Sequence, residues 1–191
     1  PLATELAESA RVLKAIQDAG VDAVIGYTQR FRRRFLVAKE KVRTGQLGEV
    51  TLVTSRAFMN RLVAIDNYTR TDRPETISPM VISGTHALDV VMWLMEGKTP
   101  VECYARSIDR VLGPTHKGID ATAGLITMSD GSLYHLNISW ALPTVWPGSV
   151  YSLEIGIVGT EGVLTIDDTH RDVIMATTLP QQAGYTPDTT R

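Results

Sequence analysis

Cysteine is nearly absent. The 191 residues contain only Cys103, so no internal disulfide framework is possible and the expected compartment is the cytoplasm. Neither sign of charge dominates, with 19 Lys+Arg facing 21 Asp+Glu for a net charge of -2. So small an imbalance supplies no field of the kind that draws a protein onto nucleic acid. Long hydrophobic runs are missing as well: no window approaches the ~18 uninterrupted apolar residues of a membrane span. The opening residues lack the basic, apolar and small-residue pattern of a secretory signal. What is present is 43% hydrophobic and 21% charged, the balance of a folded domain rather than a disordered segment. The length suits one domain or one and a fraction, with room for a proper core.

Several chemistries are missing too. The four histidines are His86, His116, His135 and His170. No two share the i, i+4 spacing that lets one helix present a pair to a metal, and no cysteine cluster accompanies them, so no metal site is expected. There is no nucleophile elbow, no Walker loop and no G-x-G-x-x-G after a strand. This chain therefore carries no dinucleotide phosphate cradle.

Periodicity supplies the fold. Thr4 is a candidate N-cap for a helix in which Leu6, Ala10, Leu13 and Ile16 recur at helical spacing and which Gly20 closes. Residues 22–27 (DAVIGY) read as a buried strand. A second helix is expected over 32–44, with Phe31, Phe35, Ala38 and Val42 in one stripe and Gly45 as the stop. Residues 49–59 are rich in β-branched types and read as a strand, followed from Asn60 to Pro79 by an irregular excursion. Ser83 or Thr85 caps a third helix whose buried side is Val90, Val91, Leu94 and Met95. From residue 100 the period changes to two. Strands are expected at 100–106, 120–128, 132–142, 151–157, 163–167 and 172–176, with Asp130-Gly131 as a hairpin turn. The sum is an α+β domain: a large, mostly antiparallel open β-sheet with two or three helices packed on one face. The other face is left for solvent or a second subunit. Residues 177–191, rich in Thr, Gln, Gly and Pro, read as a loop or truncated tail.

The most informative stretch is Ser83-Gly-Thr-His-Ala-Leu-Asp-Val-Val-Met-Trp93. On a helix, His86, Asp89 and Trp93 share one face. In a first turn, unpaired N–H groups and the helix dipole oppose imidazole protonation. A neutral His86 there can take a proton from a substrate hydroxyl, with Asp89 fixing its tautomer or holding the substrate. A histidine near a helix start also serves as a plain structural hydrogen-bonder, and the pattern leaves both roles open. Likewise, the basic run Arg30-Phe-Arg-Arg-Arg34 fits either an anion site or a solvated helix face.

Pro1-Leu-Ala3, Gly26-Tyr-Thr-Gln-Arg-Phe31, Gly45-Gln-Leu-Gly-Glu-Val50, Gly84-Thr-His-Ala-Leu-Asp89 and Gly156-Ile-Val-Gly-Thr-Glu-Gly162 occur in this order. The ordered set resembles the Gfo/Idh/MocA family of NAD(P)-dependent oxidoreductases across nearly the whole chain. The resemblance implies that residues 1–27 are the end of a Rossmann-type nucleotide domain and that 28–176 form a substrate-binding and oligomerisation domain. It implies NAD or NADP in an intact protein, with Pro1 at the edge of the cofactor site and the motif lysine just before it. His86 matches the family's catalytic histidine. Tyr27, Arg30, His135 and Trp140 are the implied pocket walls. Many members place an Asp four residues before the histidine; here that position is Ile82, which leaves Ser83 or Asp89 to assist. The implied activity is a dehydrogenase acting on a sugar, a polyol or a related hydroxy or carbonyl compound, forming a homo-oligomer through the sheet face. The alternative is a non-catalytic, sheet-based dimerisation or binding module.

Overall fold

The computed structural model describes residues 2–143, 151–167 and 173–177. Helix α1 (Leu6–Ala19) is followed by a 3-10 turn (Thr28–Phe31), α2 (Arg33–Arg43), β1 (Val50–Asn60) and α3 (Arg61–Thr69). A π-helical turn (Met80–Gly84) then runs directly into α4 (Thr85–Leu94). Next come β2 (Pro100–Ile108), the short α5 (Gly113–His116), β3 (Ala121–Met128), β4 (Leu133–Leu142), β5 (Tyr151–Gly159), β6 (Gly162–Asp167) and β7 (Val173–Thr177).

The seven strands form one sheet in the order β2-β3-β4-β1-β5-β6-β7. Every neighbouring pair is antiparallel except β1 with β4, which run parallel. Strict alternation decides which side is buried. Val53, Ser55, Ala57 and Met59 of β1, Tyr134, Leu136, Ile138 and Trp140 of β4, and Leu153, Ile155 and Ile157 of β5 all point to the covered face. Phe35 and Ala38 of α2 and Ala87, Val90, Val91 and Leu94 of α4 close over this face to form the main core. Within it Ser55 Oγ meets Tyr134 OH at 2.7 Å, so neither hydroxyl is stranded. A second cluster, around Met59, Ala64, Tyr68, Leu112 and Trp140, fastens α3 over the far end of the same face. Helices α2, α3 and α4 thus cover one side of a mostly antiparallel sheet; the α+β class and two of these helices were expected, α3 was not.

The hairpin at Asp130-Gly131 forms where expected. Gly131 has φ 86°, and Met128 N–H donates to Ser132 O at 2.9 Å. The glycine-rich segments 45–50 and 156–162 turn out to dock on each other. Glu161 N–H donates to Leu47 O and Thr160 N–H to Glu49 O, both at 3.0 Å. At Gly159 a Cβ would sit 2.0 Å from Leu47 O, so only glycine allows this approach.

Four expectations are corrected. Residues 22–27 are not a strand: among the described residues no neighbour offers them a hydrogen-bonded ladder, and Val24 stays 88% exposed. Asn60–Pro79 is not wholly irregular. Asn60 Oδ1 accepts from Leu62 N–H at 3.0 Å and caps α3, and Ala64 and Tyr68, four residues apart, bury against Trp140. Thr4 does not cap α1, which begins after an extended Glu5 with no side-chain cap. Neither Ser83 nor Thr85 caps α4, because the π-helical turn is already helical when it reaches them.

Candidate active site

The π turn fixes where His86 sits. Thr85 N–H reaches back five residues to Met80 O, which inserts one extra residue ahead of α4. The turn is anchored from below. Buried Ser83 Oγ accepts from Trp140 Nε1 at 2.8 Å and lies 3.4 Å from Met59 Sδ. Trp140, fully enclosed, stacks edge-on against Tyr68 at 5.6 Å. His86 therefore stands in a continuous helix rather than at an opening turn, and the expected dipole effect on its protonation is replaced by another cause. Burial disfavours the imidazolium and lowers the pKa of His86 below the ordinary histidine value, with Asp89 partly opposing. The ring is neutral near pH 7.

Asp89 does not orient His86. Both its oxygens are held by Arg30, with Nε at 2.8 Å and Nη2 at 2.5 Å, and its side chain is only 9% exposed. This fork ties the 3-10 turn to α4. The Arg30 guanidinium also lies 6.0 Å from the Trp93 ring centroid, with Lys39 on the same ring at 5.5 Å. Tyr27 completes the joint. Its ring meets His86 edge-on at 5.8 Å, and its hydroxyl is 3.1 Å from Thr85 Oγ1.

Beside His86 a cavity of about 350 Å³ opens between the 3-10 turn, α3 and the π turn; Gln29, Met59, Asn67, Ile82 and Ser83 line it with His86. Nδ1 of His86 and Oε1 of Gln29 are buried atoms without a hydrogen-bond partner. The structure thus brings Tyr27, Arg30, His86 and Asp89 together. It separates the other two candidate walls. His135 is exposed on the open sheet face, where it pairs across from Thr54 and Leu125, on the opposite side of the sheet from Tyr134 and the helices. Trp140 is sealed in the core and supports the site from behind instead of lining it. Ser83 is committed to that same Trp140 contact. Pro1 lies outside the described residues. Sequence reasoning missed Gln29, which sits inside Gly26-Tyr-Thr-Gln-Arg-Phe31; the only signal was a polar residue between two anchored ones.

Among the described residues no group of three His, Cys, Asp or Glu side chains could hold a metal ion. No described helix is long and apolar enough to cross a membrane.

Solved structures share this architecture. The WlbA dehydrogenase from Bordetella pertussis, in complex with NADH and UDP-GlcNAcA, superposes with a TM-score of 0.79 at 19% identity, covering 95% of this chain and 54% of that one. An oxidoreductase from Thermotoga maritima gives 0.73 at 21% identity, covering 93% and 53%. The scyllo-inositol dehydrogenase from Lactobacillus casei, with bound NAD(H) and scyllo-inositol, gives 0.67 at 22%, covering 83% and 46%. The chain thus spans about half the length of these structures. No curated protein matches it in sequence. Residues 35–165, running from the second helix to the sixth strand, match the model of the GFO/IDH/MocA C-terminal domain, and the chain belongs to that family of oxidoreductase domains.

Proposed function

We infer that this chain is the substrate-binding and oligomerisation part of an NAD(P)-dependent dehydrogenase acting on a sugar, a polyol or a related hydroxy or carbonyl compound. The observation that carries the reading is a neutral imidazole, its buried Nδ1 without a hydrogen-bond partner, at the wall of a cavity of about 350 Å³. The described residues include no glycine-rich strand–turn–helix for cofactor phosphates, so the chain does not fit the cofactor by itself. The hydride acceptor has to come from another domain. Residues 1–27 are read as the end of that domain, 28–176 as the substrate domain and 177–191 as a tail. The exposure of α1 supports the first assignment. None of its residues is buried, Leu6 is 88% exposed, and Arg73 reaches Glu5 at 2.9 Å and Glu8 at 3.3 Å. Such an apolar stripe needs a cover.

Within this reading His86 takes the hydroxyl proton, Tyr27 holds the ring from its edge, and the Arg30–Asp89 fork fixes the two backbone segments that frame the cavity. The expected result is dehydrogenase activity in the parent open reading frame, followed as NAD(P)H formation with cyclic polyols and pyranoses, and none in residues 1–191 alone. A parent protein that binds NAD(P) yet oxidises none of these rings counts against the assignment. It would favour the non-catalytic module, to which the engagement of Ser83 and Asp89 elsewhere also points.

Oligomerisation is assigned to the open sheet face. Tyr104 (68% exposed), Leu125, Leu133 and Val158 lie there among polar residues, and Arg56 pairs with Glu154 across neighbouring strands. The face is both apolar enough and patterned enough to pair with a copy of itself. Light scattering at high protein concentration should give a dimer or larger; a monomer throughout would remove the assignment.

A further inference from the structure

Strand β2 ends the sheet, and all nine of its residues, Pro100–Ile108, are exposed. No described helix shields it: Cys103 and Ala105 pair with Ile126 and Gly124 of the covered face, yet stay in solvent on that side. The register shows which of its amides are free. Met128 N–H donates to Ser132 O, so the even-numbered amides of β3 turn to β4 and the odd-numbered ones to β2. Leu125 lies opposite Tyr104, and Ala123 opposite Arg106. The amides of Cys103, Ala105 and Ser107 therefore point away from the sheet, an open ladder of the kind that recruits another strand.

Natural sheets blunt such an edge with charge, and β2 carries one charge of each sign. Glu102 and Arg106 stand two residues either side of Tyr104 on one face of the strand, and among the described residues neither is held in an ion pair. A second copy running antiparallel about Tyr104 answers both signs by symmetry. The outward amides of Cys103 then meet those of the partner's Ala105. Glu102 faces the partner's Arg106, twice over, in the closer non-hydrogen-bonded pairs, where opposite charges favour pairing. An axis moved to Cys103 or Ala105 sets Glu102 opposite Tyr104 or Ile108 instead, and leaves both charges unanswered.

We propose that β2 is a self-pairing edge: two copies of this chain join antiparallel about Tyr104, with Glu102 against the partner's Arg106 at both ends and one sheet running through the pair. The contact is separate from the open-face contact assigned above and does not rest on the dehydrogenase reading. Nine residues a side is well below the ~20–30 of a standard interface, so the pairing depends on protein concentration.

The test uses two forms of the full 191-residue chain, each with one cysteine: the unaltered chain, with Cys103, and Cys103→Ser/Ala105→Cys. In the proposed register the Cys103 thiol sits opposite position 105 of the other copy, with Cα atoms about 5.5 Å apart, inside disulfide range. Two copies of either form alone bring their Cα atoms no nearer than about 8 Å, outside that range. Under mild oxidation the mixture should give a covalent heterodimer at least about 10-fold faster than either form alone. Open-face packing cannot mimic this, because both thiols lie on the helix side of the sheet. Charge reversal supplies a second readout. Glu102→Arg in both forms should slow the cross-link about 10-fold by setting like charges against each other at both ends, and adding Arg106→Glu should restore it. Equal linking in all three samples overturns the proposal, as does indifference to Glu102→Arg. An unlinked mixture, the result if a strand of another protein or another segment of this chain fills the edge, overturns it too. Should Ala105→Cys not fold, sedimentation of the charge variants decides: a dimer lost in Glu102→Arg and regained with Arg106→Glu supports self-pairing, and an unchanged distribution overturns it.

Discussion

Under the proposed dehydrogenase function, His86→Ala is expected to lower turnover of the cofactor-supplied parent protein by about 10²- to 10⁴-fold, the usual contribution of a positioned acid–base group, and to leave its melting temperature close to that of wild type. The ring is only partly buried, its Nδ1 has no hydrogen-bond partner, and it meets Tyr27 edge-on, so its removal opens no closed core. Rates at saturating substrate and thermal melts on the same preparation check the pair of outcomes; equal damage to both would make His86 structural. The pH dependence has a fixed sign. Burial lowers the folded-state pKa below the 6.5 of an unfolded histidine. Between the two values the unfolded chain binds more protons, so stability rises with pH across that window and is lost as pH falls below about 6.5. His86→Ala should flatten this limb of the stability profile. A slope that persists in the variant belongs to another group.

Trp140→Ala should destabilise the fold by about 3–5 kcal/mol, the range for deleting a large enclosed aromatic. Trp140 has no exposed surface, packs against Tyr68 and donates its indole N–H to Ser83. The substitution leaves a hole beneath the π turn that carries the site and takes from Ser83 Oγ the N–H it accepts. Trp140→Phe separates the two losses, since it retains most of the volume and gives up only the hydrogen bond, at about 1 kcal/mol. Denaturant unfolding of the three proteins is the measurement. A loss under about 1 kcal/mol for Trp140→Ala would mean that Ser83 and the second apolar cluster hold without it.

Much of the sheet is legible in the sequence because period two leaves little choice. Tyr134, Leu136, Ile138 and Trp140 cannot share a face with Leu133, His135, Asn137 and Ser139 in any extended strand. Legibility stops where an answer depends on what stands opposite. Parity separates His135 from Tyr134 correctly, yet says nothing about which side of the sheet opens onto a cavity. Trp140 looked like a pocket wall on residue type; its partner Ser83, 57 residues away, makes it a support. The π turn has no sequence signature, since Met80–Gly84 and a capped α-helix use the same residues. Helix α3 was hidden by the prolines that follow it, and its cap, Asn60, doubles as the last residue of β1. Strand 22–27 failed for the opposite reason: its apolar pattern is sound, but the described residues contain no strand to pair with it. Asp89 was correctly placed near His86, but its charge is absorbed by Arg30, a pairing across 59 residues that spacing cannot reveal.

The parallel pairing at the centre of the sheet bears on how the chain is made. β1 ends at Asn60, but its parallel neighbour β4 begins only at Leu133 and its other neighbour, β5, at Tyr151. At 5–20 residues per second a ribosome needs roughly 4–15 s to deliver the first of these partners. Through that interval the hydrogen-bonding edges of β1 stay open on both flanks, with Val53 and Ala57 unburied. Long-range closures of this kind slow folding and expose the nascent segment to mispairing, so yield during synthesis should depend more on chaperone supply and temperature than the finished domain's stability would indicate.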